Sequence, residues 1–176
     1  MVIEDPFIPQ WYVLYTKSRF ESVVDLGLKG KNIESFLPKI KTRSRRRDRK
    51  VVLNTPLFPG YLFVKTDLYP EKHLEILKTP GVVRFIGSQN GPMPVSPDTI
   101  ESLRIMVTAE SDIFSGRGMM KGARVMVTRG PFTGVIGTFV HYKGRHRIVV
   151  NIETLGRYAS VEIETEDVAA LPEIFS

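Results

Sequence analysis

The chain contains no cysteine, which excludes disulfides, thiolate zinc sites, iron–sulfur clusters and cysteine nucleophiles. Histidine occurs three times in 176 residues, so any metal site would have to be assembled from scattered imidazoles and carboxylates. No run approaches the roughly 18 to 20 consecutive apolar residues of a membrane span. The start, MVIEDPFIPQWYV, lacks the basic and apolar regions of a signal peptide. A cytoplasmic protein without a membrane partner is expected. The sequence also lacks H-E-x-x-H, G-x-x-x-x-G-K-[ST], G-x-S-x-G and a strand-borne G-x-G-x-x-G. His141 and His146 flank a glycine-containing turn with no ligand spacing, and Glu162, Glu164 and Glu166 are expected to alternate along a strand and share a solvated face. No catalytic residue, metal or cofactor is expected, and the chain is not read as an enzyme.

What is present is an ordinary globular composition, 42% hydrophobic and 25% charged, enough for one large or two small domains. The net charge is +6, yet the segment Lys39 to Lys50 (KIKTRSRRRDRK) alone sets eight basic residues against Asp48, leaving the remainder close to neutral. A focused block of one sign over a balanced body is the electrostatic footprint of a polyanion binder. Arg45, Arg46 and Arg47 are the candidate nucleic-acid contacts within it.

Aromatic and β-branched residues in WYVLY predict an opening strand. Ser18 and Glu21 fit a capping box, and Phe20, Val23, Val24 and Leu28 follow at helical spacing, predicting a helix over 18–29 in which Gly27 hints at close packing. Strand pieces at 36–41 and 51–53 make the basic block a hairpin tip. Leu57 to Thr66 reads as the strongest strand, with both faces apolar; a short helix after Pro70 and a strand at 82–86 follow. Ser96-Pro97-Asp98 is an N-cap, a first-turn proline and a dipole-favoured acid ahead of another helix. Residues 110–121 lose periodicity and gain glycine and serine, as a linker does. Beyond them, five short strands in about 50 residues suggest a small closed barrel, since closure removes unprotected edges. Its many β-branched residues and its four glycines at 130, 134, 137 and 144 favour that barrel over a helical hairpin.

Taken in order, Trp11-Tyr12-Val13, Phe58-Pro59-Gly60-Tyr61, the segment Gly81 to Gly87 (GVVRFIG) and Gly130-Pro131-Phe132-Thr133-Gly134 with Gly137 resemble the NusG family of transcription elongation factors across residues 11–171. Within it, WYVLYTK, FLPKIK and TPLFPGYLFVKTD look most like the specialised RfaH, UpxY and LoaP types. The resemblance implies an α+β protein: a NusG-like N-terminal domain of antiparallel sheet flanked by helices over 10–109, a linker at 110–121 and a KOW domain, an SH3-like β-barrel, over 122–172. It implies a monomeric elongation regulator that binds RNA polymerase through its N-terminal domain and modulates pausing or termination, as an operon-specific antiterminator. By position, Tyr15, Leu57, Phe58, Pro59 and Tyr61 would receive the clamp helices of the largest polymerase subunit. Lys17 and Arg19 would touch non-template DNA, with no aromatic platform evident beside them. In the barrel, Phe132, Val135, Ile136 and Leu155 hold the place where family members bind Rho or a ribosomal protein, without the usual aromatics at 135 and 155. The alternative reading is a ribosome- or RNA-binding KOW protein, for which the apolar strand pocket would be unnecessary.

Overall fold

Seven residues of β-rich composition, QWYVLYT, form the strand at the centre of the first sheet, β1 (Gln10–Thr16). The computed structural model describes residues 7–44 and 51–172 and divides into two units between Val95 and Ser96. After β1 the first unit runs α1 (Glu21–Gly30), β2 (Ser35–Phe36), β3 (Lys39–Arg43), β4 (Val52–Pro56), β5 (Tyr61–Thr66), α2 (Pro70–Leu77), β6 (Val82–Phe85), β7 (Gly87–Ser88) and β8 (Gly91–Pro92). Its main sheet has the order β2-β5-β1-β6, and every pairing in it is antiparallel. Alternation sends Tyr12, Leu14, Leu62, Val64 and Phe85 to one face, where Val24 and Leu28 of α1 and Ile76 of α2 complete the core. Burial there pushes the Tyr12 phenol pKa up.

Helix α1 starts later than its sequence suggests. Arg19 turns the chain through φ 64°, which leaves Ser18 outside the helix, and Phe20 occupies the N-cap with no side-chain cap bond. Glu21 instead accepts a hydrogen bond from the Gly60 amide at 2.8 Å. Gly27 does mark a close approach: a Cβ there would lie 2.9 Å from Cγ2 of Thr79. The expected ten-residue strand at 57–66 is also shortened. Leu57 donates to the Pro38 carbonyl, Tyr61 donates to that of Phe58, and Gly60 at φ 87° makes a turn before β5 begins. Strands β3 and β4 form a separate two-stranded sheet, extended by the Ser44 amide bonding the Val51 carbonyl at 3.0 Å. Arg45, Arg46 and Arg47 lie outside the described residues.

The second unit comprises α3 (Pro97–Thr108), β9 (Phe114–Arg117), β10 (Ala123–Val127), β11 (Ile136–Tyr142), β12 (Arg145–Ile152), β13 (Arg157–Glu162) and β14 (Val168–Ala170). Ser96 caps α3 by accepting from the Asp98 amide at 3.2 Å, as expected. The six strands form one barrel-like sheet in the order β14-β10-β11-β12-β13-β9, antiparallel throughout. Residues read as linker thus include a strand, because β9 pairs along β13 from Arg157 to Ser160. Helix α3, read as the end of the first domain, groups with the second unit. Its Ser102 hydroxyl both accepts from the Ile136 amide at 2.9 Å and reaches the Ile136 carbonyl at 3.2 Å. The three glutamates do not share a strand face: Glu162 ends β13, whereas Glu164 precedes and Glu166 lies within a single 3-10 turn (Thr165–Asp167). Among the described residues no helix is long and apolar enough to cross a membrane.

Candidate functional site

The ends of β1, β5 and β6 meet at one corner of the first unit. Register sets Tyr15 opposite Tyr61 on one side and opposite Arg84 on the other. The tyrosine rings lie 5.4 Å apart, and the Arg84 guanidinium is 5.8 Å from the Tyr15 ring centre, within cation–π range. The register with β6 shifts after Tyr15, a β-bulge, before Thr16 pairs with Val82. Gly60 holds the loop against it. Its carbonyl accepts from the Thr16 amide at 2.9 Å and its own amide is held by the buried Glu21 carboxylate. At φ 87° that position suits glycine alone, and a Cβ would come within 3.5 Å of the Tyr15 ring. Tyr15 is 38% exposed, Pro59 is exposed and Tyr61 half-buried.

The structure therefore brings together three of the five residues expected to form an apolar docking surface and turns two away. Leu57 and Phe58 are buried, Phe58 to 1% exposure. Its ring meets Phe63 edge-on at 6.4 Å, and Phe63 stacks on Phe36 at 6.0 Å. The turn before β5 is the cause: it points Phe58 inward, where a continuous strand would have left it on a sheet face. Phe58 is thereby placed in the interior, beside Phe63.

Lys17 and Arg19 are exposed in the loop that leaves the corner. The Lys17 amide bonds the Gly81 carbonyl at 2.8 Å, and the Lys17 carbonyl accepts from the Phe20 amide at 3.0 Å. Phe20 is itself 40% exposed and supplies the aromatic neighbour that the sequence did not reveal, since its helical spacing marked it as a core residue. Arg84 was likewise missed; only the β1–β6 register shows that it faces Tyr15. The corner thus carries Tyr15 and Tyr61 with Arg84, while Lys17, Arg19 and Phe20 are exposed in the segment that follows β1.

In the second unit, Phe132 and Val135 are buried, and Ile136 and Leu155 are half-buried. The expected exposed patch is corrected for the first two. A tight turn folds them in, with the Gly134 amide bonding the Val127 carbonyl at 2.9 Å and the Val135 amide that of Phe132 at 3.0 Å. Ile136 is further tied to α3 through Ser102. Among the described residues no group of three or more His, Asp or Glu side chains is placed to hold a metal ion.

A helix-flanked antiparallel sheet followed by a small barrel-like sheet, with an aromatic corner as its most distinctive surface, defines a two-part α+β class. The sequence model described as transcription termination factor NusG matches residues 9–104, and the chain belongs to the NusG family. It is 27% identical to the transcription termination/antitermination protein NusG of Thermus thermophilus, over 90% of this chain and 97% of that one. Identity to the NusG of Helicobacter pylori strain J99 is 31%, over 67% of this chain and 68% of that protein. A solved structure describing domain interaction in Thermotoga maritima NusG has the same fold, with a TM-score of 0.53 at 19% identity over 95% of this chain and 99% of that one.

Proposed function

We propose that this protein is a transcription elongation regulator that binds RNA polymerase through the corner formed by Tyr15, Pro59 and Tyr61 and modulates pausing or termination. The observation that carries the reading is the surface tyrosine pair, braced by Gly60 and Glu21 and flanked by Arg84, in a NusG-family chain. Exposed aromatics bury much area for little lost side-chain entropy, which suits them as anchors for an apolar helical surface. Lys17, Arg19 and Phe20, exposed in the segment that follows β1, add cations and one ring, the chemistry needed beside single-stranded, non-template DNA. The family segments WYVLYTK and TPLFPGYLFVKTD, together with aliphatic Val135 and Leu155 where other members carry aromatics, favour a specialised antiterminator acting on particular operons. Loss of those aromatics favours a second-unit partner other than Rho.

The test is retention of RNA polymerase by the tagged full-length chain, followed by mapping of the transcripts it occupies. Tyr61→Ala is expected to weaken retention about 10-fold or more, in line with a central aromatic anchor, while circular dichroism stays unchanged. Unaltered polymerase binding by the folded variant would overturn the assignment. Occupancy spread over all transcripts, instead of a few operons, would overturn the specialised role.

A further inference from the structure

Two histidines of the barrel-like sheet form a cluster that owes nothing to the tyrosine corner. Their spacing along the chain carries no ligand signal, but strand register brings them together. β11 and β12 pair antiparallel with His141 directly opposite His146, and side chains at paired positions share one face. A turn of two residues, Lys143 at φ 50° and Gly144 at φ 78°, has the paired positive values of a tight hairpin. That turn fixes the register and therefore the pair. His141 is exposed and His146 half-buried.

His146 is held from two sides. Its ring stacks on Phe139, with centres 5.2 Å apart and planes at 17°, and Thr165 Oγ1 lies 3.3 Å from its Nδ1. With Nδ1–H donating to that hydroxyl oxygen, Nε2 carries the lone pair that a metal ion takes, the arrangement by which an outer partner sets a ligand's tautomer. The Ile163 amide donates to the His146 carbonyl at 3.1 Å, tying this residue to the segment that carries Thr165. The His141 ring stands 4.9 Å from that of His146 between centres. Two imidazoles on one ion, with metal–nitrogen bonds of about 2.0–2.1 Å, also have their centres about 5 Å apart. Rotation of the exposed His141 ring about χ2, a broad torsion in histidine, aims its nitrogen at the same point. Glu164 and Glu166, both exposed on either side of Thr165, add negative charge to this end of the sheet.

We infer that His141 and His146 together bind a divalent transition-metal ion of the zinc class across β11 and β12, with Thr165 positioning His146 and water completing the coordination. Imidazole suits zinc, copper and nickel, whereas magnesium and calcium take oxygen ligands, so the pair selects the first group. Two protein ligands make an open site, unlike the four of a closed structural centre. The ion is therefore exchangeable and not a condition of folding. Bound, it cross-links the two longest strands of this sheet and stabilises the unit by mass action. The inference holds whether or not the tyrosine corner binds polymerase.

The experiment uses the full-length chain without a histidine tag, stripped of metal with a chelator, and titrates zinc chloride by calorimetry with magnesium chloride as the control. One zinc ion per chain is expected, with no response to magnesium. Thr165→Val should weaken zinc binding about 10-fold, the usual cost of losing an outer partner, while Thr165→Ser keeps it. His141→Phe, which preserves a ring on Phe139's face, should lose more than Thr165→Val does. Its metal-free melting temperature should match that of the parent chain, yet zinc should raise only the parent's. NMR should show the His141 and His146 ring resonances moving with zinc while those of His73, stacked on Phe85, stay in place. Absence of zinc binding, equal affinity in His141→Phe and the parent, ring shifts confined to His73, or an equal response to magnesium would overturn the proposal.

Discussion

Tyr61 and Phe58 lie three positions apart within one motif, yet the structure gives them opposite environments. Tyr61 stands half-buried at the corner, and Phe58 is enclosed against Phe63. Phe58→Ala should therefore lose about 3–5 kcal/mol of stability, the cost of emptying a buried aromatic site. Tyr61→Ala should lose less than about 1.5 kcal/mol; chemical denaturation of the two variants separates them. The tyrosine corner was legible from the motif itself. The inward turn of Phe58 was not, because it depends on Gly60 adopting φ 87° and not on any alternation of apolar residues. Asp67 offers a residue-scale test by pH. Its carboxylate accepts from the Tyr69 amide at 3.0 Å and from Lys72 Nζ at 3.2 Å, and these contacts, the backbone bond foremost, hold its pKa below the ordinary 3.8. Such a group stabilises the fold above its unfolded pKa and loses that contribution as pH falls through the lowered folded value. NMR titration should place the Asp67 midpoint below 3.8, and Lys72→Met should move it upward.

At the scale of elements, α1 meets the end of α2 through the only kind of residue that fits. Thr79 is buried, its hydroxyl donates to the Glu75 carbonyl at 3.1 Å and accepts from Lys31 Nζ at 3.0 Å. With its hydroxyl so fixed, its methyl has little room to move away from a new Cβ at position 27. Gly27→Ala should thus destabilise by about 1–2 kcal/mol through overpacking, against the roughly 1 kcal/mol that alanine ordinarily gains in a helix. Adding Thr79→Ser, which deletes the methyl, should restore stability; thermal melts of the single and double variants measure it. Elements with their own signals were readable in advance, α3 from its Ser96 cap and β11 and β12 from β-branched runs around a glycine turn. Strand β9 was not. The sequence FSGR has no alternation to report, and its extended state comes from a partner about 40 residues away. The same long-range pairing hid the approach of the Arg147 guanidinium to the Phe114 ring, 4.1 Å from its centre.

For the molecule as a whole, the second unit is larger than its barrel motif. A fragment of residues 96–176 retains α3, whose Ile100, Leu103 and Met106 are buried, and β9, which covers the edge of β13. A fragment of 122–176 has neither. The longer piece should melt higher by about 10 °C or more, since a few kcal/mol translate into shifts of that size in a domain this small. Equal melting temperatures would show that α3 and β9 add nothing. The position of β9 also sets an order of assembly. The β11–β12 hairpin closes through two residues, Lys143 and Gly144, and can form within microseconds of chain collapse. Strand β9 precedes both in the chain but must wait for β13 to be made and placed before it has anything to pair with, and such distant closures are slow. Pulsed hydrogen exchange during refolding should find amides of Arg145–Ile152 protected ahead of those of Phe114–Arg117, so that the first strand of the sheet to leave the ribosome is the last to join it.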